Sequence, residues 1–309
     1  MYVGTCPVRI SFAGGGTDLP EYYKNFGGNV ISTTINQFTY SVIQPRKDNS
    51  FQSFSPDFQK HYKPTVFNKI AIEDGTEISS SVIKYLKYKH GLNVILFSDV
   101  PAGSGLGASS SLTVNLVNII NYLKNEKLTK EQTAEIAYSI ARKVLHWPVG
   151  KQDEYVASFG GFNFITFKKN KISVKPIKLS KSSHKELQEN LLLFFIGDTR
   201  NSSNILTGQI KKITKKNPLT LSALSDVKNL ANEMHTSLKK SDLSNFGTLL
   251  HKGWIAKKQF APGITNTKID KIYEKSLQLG ALGGKLTGAG GGGHMLFYCE
   301  TKKQKSLIN

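Results

Sequence analysis

The sequence is poor in cysteine and has no long apolar run. Its two cysteines, Cys6 and Cys299, have neither metal-ligand spacing nor the density of a disulfide framework, as expected in a reducing cytoplasm. The amino terminus has no signal-peptide pattern, and the longest uninterrupted apolar run, 191–196, is far too short to cross a bilayer. We therefore expect a cytoplasmic protein that does not associate with a membrane.

Acidic residues are also scarce, at 22 against 41 lysines and arginines, which gives a net charge of +19. Such a balance is typical of nucleic-acid binding. However, the lysines are dispersed along the chain in pairs such as 168–169 and 211–212, and no aromatic stacking motif is interleaved with them. They indicate a solvated surface and no nucleic-acid partner, although the positive field would attract phosphorylated small molecules. The histidines have no H-E-x-x-H spacing, so none is assigned to a metal.

The most informative segment is the glycine-rich stretch 101–111, which reads PAGSGLGASSS. It follows the strand-like run 94–100, and the apolar spacing after it predicts a helix that begins near Ser109. Glycines let a backbone approach a ligand closely, and the unpaired N–H groups of a helix start bind anions. The segment therefore predicts a phosphate site, with a plain turn and a serine cap as the alternative.

Two familiar nucleotide motifs do not explain this loop. The positions 103, 105 and 108 satisfy the dinucleotide pattern G-x-G-x-x-G/A, but the acid available, Glu126, directly follows the helix with no second strand before it. The pattern G-x-x-x-x-G-K-[S/T] is absent from the sequence, which excludes a Walker-type loop.

Strand-like and helix-like runs are mixed without strict alternation, which favours an α+β fold. Strands are predicted at 8–13, 30–35, 39–43, 94–100, 162–167, 172–177, 191–196 and 295–299. Helices are predicted at 76–90, 109–125, 130–145, 218–239, 241–258 and 266–279, with Thr129 capping the third. A polar Ser/Lys stretch at 178–185 is the best domain boundary.

Two further glycine-rich turns lie beside apolar strands, RISFAGGGTD at 9–18 and KLTGAGGGG at 285–293. In the chain order 9–18, 101–111 and 285–293, these three segments resemble the motifs of the GHMP kinases. The segment 101–111 is similar to the phosphate loop of that family, and 285–293 is similar to its carboxy-terminal loop. The resemblance covers nearly the whole chain. Within the family, 9–23 and GKQDEY at 150–155 most resemble the D-glycero-D-manno-heptose 7-phosphate kinases.

The resemblance implies a two-domain α+β protein, with a ribosomal-S5-domain-2-like domain at 1–180, a ferredoxin-like domain at 181–309 and an active site between them. It implies an ATP-dependent, Mg²⁺-assisted kinase that phosphorylates the C1 hydroxyl of heptose 7-phosphate. The 1,7-bisphosphate product would enter nucleotide-activated heptose synthesis for surface polysaccharide. A homodimer is compatible with the sequence, which does not fix the oligomeric state, the anomer or the residues that contact adenine.

Asp153 is the catalytic candidate. Phosphoryl transfer is mostly positioning and charge neutralisation, with one group that orients the hydroxyl or accepts its proton. An aspartate suffices when the hydroxyl is anomeric and hence unusually acidic. Lys151 could offset charge on Asp153 and on the phosphoryl group. Arg9 could reach the phosphate chemistry, although an arginine on a strand is more often in a surface ion pair.

By the resemblance, the phosphates of ATP contact the two kinase loops. The nucleotide-binding residues expected there are Pro101, Gly103, Ser104, Gly105, Leu106, Gly107, Ala108, Ser109, Ser110, Thr287, Gly288, Gly290 and Gly291. The family usually holds Mg²⁺ with a loop serine, here Ser109 or Ser110, and a glutamate eleven or twelve residues before the catalytic aspartate. That register offers Ala141 and Arg142. Three outcomes stay open: phosphates, serine and water hold the metal, Arg142 partly replaces its charge, or the site is impaired.

For the sugar, the resemblance points to Asp18, within the turn Gly15, Gly16, Thr17 and Asp18. A carboxylate can accept hydrogens from two vicinal hydroxyls. The alternative is an Asp turn or a helix cap before Pro20. Arg200 and Ser202, in GDTRNSS at 197–203, could hold the distant 7-phosphate.

Two rival functions are compatible with these residues. A fucose- or galactose-type kinase would use the same loops without a second phosphate site. A sugar and nucleotide sensor could keep the pockets and lose turnover, because the usual glutamate is missing.

Overall fold

The computed structural model describes residues 1–197 and 202–308. They form two compact units that are discontinuous along the chain. The first unit comprises Met1–Arg9, Thr34–Ala102 and Gly107–Gly160, and the second comprises Ile10–Thr33, Gly103–Leu106 and Gly161–Asn309. The domains expected at 1–180 and 181–309 stay a prediction.

Ten strands and eleven α-helices are found in the described residues. The strands are β1 (Tyr2–Ala13), β2 (Gly28–Pro45), β3 (Ser50–Ser55), β4 (Lys60–Val66), β5 (Leu92–Ser98), β6 (Phe162–Lys168), β7 (Lys171–Pro176), β8 (Leu191–Phe195), β9 (Gly283–Leu286) and β10 (His294–Tyr298). The helices are α1 (Pro20–Phe26), α2 (Glu77–Tyr85), α3 (Ala108–Leu123), α4 (Lys130–Ser139), α5 (Gln152–Phe159), α6 (Lys181–Asn190), α7 (Ser202–Thr214), α8 (Pro218–Lys239), α9 (Leu243–Lys257), α10 (Thr267–Gln278) and α11 (Thr301–Ile308).

The first unit packs helices on a sheet with the strand order β4–β3–β5–β2. The second half of β2 pairs with β5 from Thr39 to Pro45, and β3 runs parallel to β5. Its core contains fully buried Val82, Leu116 and Ile120 from α2 and α3. Since α3 and α5 also pack together, this core fixes the two helices that carry the phosphate-loop serines and Asp153.

The helix predicted at 130–145 begins at a capped residue and changes its geometry after Ser139. Thr129 accepts from the backbone N–H of Gln132, whose side chain accepts from the N–H of Thr129, so the predicted cap is a complete capping box. The α-helix stops at Ser139 and continues as a π-helical turn, Ile140–Val144. Such turns displace the following chain and often occur at functional sites.

The second unit contains two sheets. The first half of β2 pairs with β6, which forms a hairpin with β7, and the other sheet has the order β8–β10–β9. Helices α8 and α9 pack on each other, and α9 also packs on β9. Trp254 and Phe260 are buried to at most 1 % exposure in this core. The carboxy-terminal glycine loop connects β9 to β10 and so starts and ends on buried strands.

Candidate active site

The loop after β5 has the conformation that its glycines predict. Gly103, Gly105 and Gly107 have φ angles of 72°, 78° and 78°, in the left-handed region that favours glycine. Gly107 is the N-cap of α3 and has no side-chain cap bond, which disagrees with the alternative of a serine-capped turn. The helix begins at Ala108, one residue before the predicted start. Its first N–H groups are therefore available in the manner that anion binding needs.

Residues of this loop meet the carboxy-terminal glycine loop within the second unit. His294 donates its backbone N–H to Ser104 O at 3.2 Å. A Cβ on Gly105 would lie 2.8 Å from Thr287 Oγ1, and one on Gly288 would lie 2.7 Å from the Cα of Gly105. Because these approaches leave no room for a side chain, glycine is required on both sides. The structure thus brings together two loops that the sequence assigned to one nucleotide.

Two buried lysines that the sequence analysis gave no role lie at the carboxy-terminal loop. Lys257 is 9 % exposed, and its Nζ donates to the carbonyl of Gly288 at 2.5 Å. Lys285 is 6 % exposed, and its Nζ donates to Ser11 O at 2.7 Å. Both line a small cleft that also contains Gly14 and Gly15. In sequence they cannot be told from surface lysines, because burial is decided by the packing of α9 and β9.

The turn Gly14–Asp18 is tightly closed. Gly14 and Gly16 have φ angles of 80° and 95°, and Thr17 Oγ1 donates to Gly14 O at 2.7 Å. Asp18 is 4 % exposed and accepts the N–H of Gly16 at 2.9 Å. This donor lies two residues before Asp18, so the bond is not the Asp turn considered as an alternative, whose donor would be residue 20, a proline without an N–H. The helix cap of the other alternative falls on Leu19. A carboxylate has capacity for several hydrogen bonds, so the turn does not exclude sugar binding.

The predicted 7-phosphate loop is described only in part. Arg200 lies outside the described residues. Ser202 begins α7, and farther along this helix Gln209 reaches the turn Gly14–Asp18: a Cβ on Gly16 would lie 2.7 Å from Gln209 Nε2. The helix that starts at Ser202 and the turn that contains Asp18 therefore belong to one packed region of the second unit.

Asp153 lies in the first turn of α5, and its partner is Arg9 on β1. The guanidinium binds both carboxylate oxygens, with Nε to Oδ1 at 2.7 Å and Nη2 to Oδ2 at 2.5 Å. The Arg9 side chain is 4 % exposed and that of Asp153 is 25 % exposed. Arg9 is thus in a buried bidentate pair rather than the surface ion pair that a strand position suggested.

Lys151, expected to offset the charge of Asp153, contacts a different carboxylate. Its Nζ lies 2.5 and 2.7 Å from the two oxygens of Glu135, and the hydroxyl of Tyr155 donates to the same group at 2.6 Å. The ammonium also lies 4.9 Å from the ring centroid of Tyr138, a cation–π distance. Lys151 is the N-cap residue of α5, so this cluster fixes the start of the helix that carries Asp153.

The two serines expected at the metal differ in their surroundings. Ser109 is exposed, whereas Ser110 is half-buried and donates to Glu154 Oε1 at 3.0 Å. Glu154 follows Asp153 directly, and it is 1 % exposed. Ala141, in the register where the family places a glutamate, is buried in the π-helical turn. The sequence analysis missed Glu154, although its place beside the catalytic candidate was a signal.

Comparison with known proteins gives the family. The chain matches the GHMP kinases N terminal domain over residues 77–161 and the GHMP kinases C terminal domain over residues 234–308. It is 32 % identical over 308 residues to D-glycero-alpha-D-manno-heptose 7-phosphate kinase of Campylobacter jejuni, covering 98 % of this chain and 90 % of that protein. The chain belongs to the GHMP kinase family.

Two other relatives agree with this assignment. The crystal structure of a D-glycero-D-manno-heptose 1-phosphate kinase from Bacteriodes thetaiotaomicron superposes with a TM-score of 0.80 and 25 % identity, over 99 % of this chain and 90 % of that one. The L-fucokinase/L-fucose-1-P guanylyltransferase of Bacteroides fragilis is 27 % identical over 99 % of this chain and 35 % of its own length. The α+β, two-domain GHMP architecture predicted from the sequence is confirmed.

Family membership also confirms that the chain is a kinase and that its nucleotide is ATP. In the part of the chain that the structure describes, no helix is long and apolar enough to span a membrane. The cytoplasmic location, the absence of a nucleic-acid partner and the homodimer stay predictions.

Proposed function

We propose that this GHMP kinase transfers the γ-phosphoryl group of ATP to the C1 hydroxyl of D-glycero-D-manno-heptose 7-phosphate, giving the 1,7-bisphosphate. The observation that carries the substrate is the end-to-end similarity to the Campylobacter heptose 7-phosphate kinase. The wider group of relatives, which includes a fucokinase and a galactokinase, supports a sugar kinase.

In this proposal Asp153 orients the anomeric hydroxyl and accepts its proton. The bidentate contact with Arg9 leaves each carboxylate oxygen further lone pairs, one of which can face the substrate. A carboxylate gripped in two places cannot rotate freely, so Arg9 fixes the direction from which Asp153 meets the hydroxyl. Lys151 has an indirect role in this proposal. It lies at the start of α5, and its ammonium is bound to Glu135 on α4, so it fixes the helix and does not contact Asp153.

The phosphates of ATP would contact the loop residues Gly103–Ala108 and the loop Thr287–Gly291. Support comes from the left-handed glycines, from the uncapped start of α3 and from the contacts of Gly105 with Thr287 and Gly288. Backbone N–H groups and a helix start are the common means of binding polyphosphate without a dedicated side chain.

Mg²⁺ would accompany the nucleotide and neutralise charge on its phosphates. The described residues contain no group of three or more histidine, cysteine or acidic side chains that could hold a metal. Mg²⁺ prefers oxygen ligands and keeps several waters when it is bound with a nucleotide, so a few protein oxygens suffice. The hydroxyl oxygen of Ser110, half-buried in the first turn of α3, is such an oxygen and fits this requirement.

The sugar would bind at the turn Gly15–Asp18. Asp18 would accept sugar hydroxyl hydrogens, and Arg200 with Ser202 would bind the 7-phosphate. Lys257 and Lys285 line the small cleft beside Gly15, and their positive charges favour an anionic substrate over a neutral one.

One assay separates this proposal from its rivals. Purified protein with ATP and Mg²⁺ is given D-glycero-D-manno-heptose 7-phosphate, free heptose, L-fucose and D-galactose, and ADP release is measured. Release only with heptose 7-phosphate, and a product with phosphorus NMR signals at C1 and C7, supports the proposal. Turnover of L-fucose, which similarity to the fucokinase makes the second candidate, contradicts it.

A sensor would give a different pattern in the same assay. It would bind nucleotide and sugar without turnover, and Asp153→Ala would leave that behaviour unchanged. For the proposed kinase, Asp153→Ala should bind AMPPNP with wild-type affinity and lose about 10²- to 10⁴-fold in kcat, the usual contribution of a positioned acid or base.

A further inference from the structure

Glu154 is a buried carboxylate at the centre of the predicted chemistry, and no role has so far been assigned to it. Its exposure of 1 % is unusual, because glutamate is rarely buried unless a partner or a metal compensates its charge. It is next to Asp153 in the first turn of α5, and it accepts from Ser110 in the first turn of α3. The side chain therefore connects the phosphate-loop helix to the catalytic helix inside the first unit.

The Ser110 hydroxyl has one hydrogen and two lone pairs. Its hydrogen is committed to Glu154 Oε1 at 3.0 Å, so the lone pairs must point away from Glu154. A half-buried hydroxyl oriented in this way presents acceptor oxygen to a cation. Because Glu154 is buried and Ser110 is half-exposed, Ser110 can contact a metal directly while Glu154 lies behind it.

We infer that Glu154 is a positioning residue for the divalent cation, acting through Ser110. It accepts the serine hydrogen, aims the oxygen lone pairs of Ser110 at the metal that arrives with ATP, and makes that oxygen a stronger ligand. Carboxylates behind a metal ligand commonly act in this way, and their loss weakens metal binding by about 10- to 100-fold. This inference rests on the proposed function. Glu154, on α5, would also supply the negative charge that the family's glutamate provides at the position of Ala141.

Because Glu154 carries a negative charge, its removal should change nucleotide affinity differently in the presence and in the absence of metal. Without a metal, a buried carboxylate near the start of α3 opposes binding of anionic phosphates. With a metal, the same charge favours the complex. Glu154→Gln keeps an acceptor oxygen for Ser110 but removes the charge, so it should weaken nucleotide binding with metal and leave it unchanged or tighter without metal. Loss of packing alone would weaken both.

The experiment measures AMPPNP binding by calorimetry in Mn²⁺ and in EDTA, and Mn²⁺ binding to the AMPPNP complex by electron paramagnetic resonance. For Glu154→Gln we expect about tenfold weaker Mn²⁺ binding and no loss of AMPPNP affinity in EDTA. Ser110→Ala should have a similar effect. In the double variant Ser110→Ala/Glu154→Gln, the second change should add less than about twofold, because residues that act through each other are non-additive.

Glu131→Gln is the matched control, since Glu131 is an exposed glutamate on α4 of the same unit. It should bind Mn²⁺ and AMPPNP as the wild type does. Equal Mn²⁺ affinity in wild type and Glu154→Gln, or additive losses in the double variant, would overturn the inference while AMPPNP binding upholds the kinase. Should Glu154→Gln fail to fold, Ser110→Ala with unchanged Mn²⁺ affinity overturns it equally. Wild-type protein that binds no AMPPNP contradicts both this inference and the proposed function.

Discussion

The pair Arg9–Asp153 makes the strongest prediction, because it can be perturbed without removing either charge. Arg9→Lys keeps a cation at the carboxylate but replaces a planar fork with a single ammonium. The fork makes two charge-assisted bonds, at 2.7 and 2.5 Å, to the two oxygens of Asp153. A lysine can restore one of these bonds and cannot hold the carboxylate plane.

The expected magnitude follows from the lost bond. A hydrogen bond to a charged group contributes about 1.5–3 kcal/mol, and the 4 % exposure of Arg9 limits replacement by water. If this energy orients Asp153 in the transition state, each ~1.4 kcal/mol corresponds to a tenfold change in rate. Arg9→Lys should therefore lower kcat by about 10- to 100-fold and leave the KM for ATP nearly unchanged.

The assay is steady-state ADP release with heptose 7-phosphate, normalised by the number of AMPPNP sites so that unfolded protein is not counted. Arg46→Lys is the matched control, since Arg46 forms the same bidentate contact with Asp48, at 2.7 and 2.7 Å, in the same unit. Arg46 contacts none of the proposed site residues in these bonds, and we expect kcat within about twofold of wild type. An Arg9→Lys protein with wild-type kcat and full AMPPNP occupancy would refute the orienting role.

Three further predictions concern other groups. Glu135→Gln should lower kcat less than Arg9→Lys does, since it loosens Lys151 at the start of α5 and not Asp153 itself; an equal or larger loss would show that Lys151 acts on substrate. Burial raises the pKa of Cys6 to about 12 and also raises that of Cys299, so neither thiol should react with a disulfide reagent at pH 8 until the protein is denatured, when two should react. Burial, with Lys239 and Lys175 nearby, lowers the pKa of His235. The unfolded chain therefore binds more protons below about pH 6.5 than the folded protein does. The free energy of unfolding should fall as the pH falls through that range. His235→Phe, which keeps the ring stack on Phe164, should lose less stability on acidification in urea titrations at pH 7 and pH 5.5.

Local signals in the sequence were enough to predict the elements around the loops. The helix predicted at 218–239 is α8 with the same bounds, because Pro218 at its first position and Asn217 as its cap mark the start. The two strands predicted at 30–35 and 39–43 form one strand, β2, which runs without a break through Asn36, Gln37 and Phe38. Short helices such as α5 were missed, because eight residues carry too little periodicity to be separated from a turn.

The glycine loops could be predicted from the sequence, whereas the ion pairs Arg9–Asp153 and Lys151–Glu135 could not. A glycine with positive φ is needed at a fixed place in a turn, so Gly103, Gly105 and Gly107 mark their loop within a few residues of sequence. Arg9 and Asp153 are 144 positions apart, and no local pattern relates them. Sequence proximity instead suggested Lys151 as the partner of Asp153. Residues two positions apart at a helix start point in different directions. Lys151 therefore points away from Asp153 and contacts Glu135 on the preceding helix.

Two ion pairs of the first unit, Arg9–Asp153 and Lys151–Glu135, have the two roles that the sequence analysis had assigned to Lys151 alone. Arg9 fixes the carboxylate of Asp153, while Lys151 and Glu135 fix the helix start from which that carboxylate projects. Arginine suits the first task because a buried bidentate pair needs a fork, and lysine suits the second because its ammonium can meet two oxygens and an aromatic ring together. Exchanging the cations, with lysine at 9 and arginine at 151, would preserve every formal charge and should still lose activity. Geometry rather than net charge therefore determines which cation belongs to Asp153.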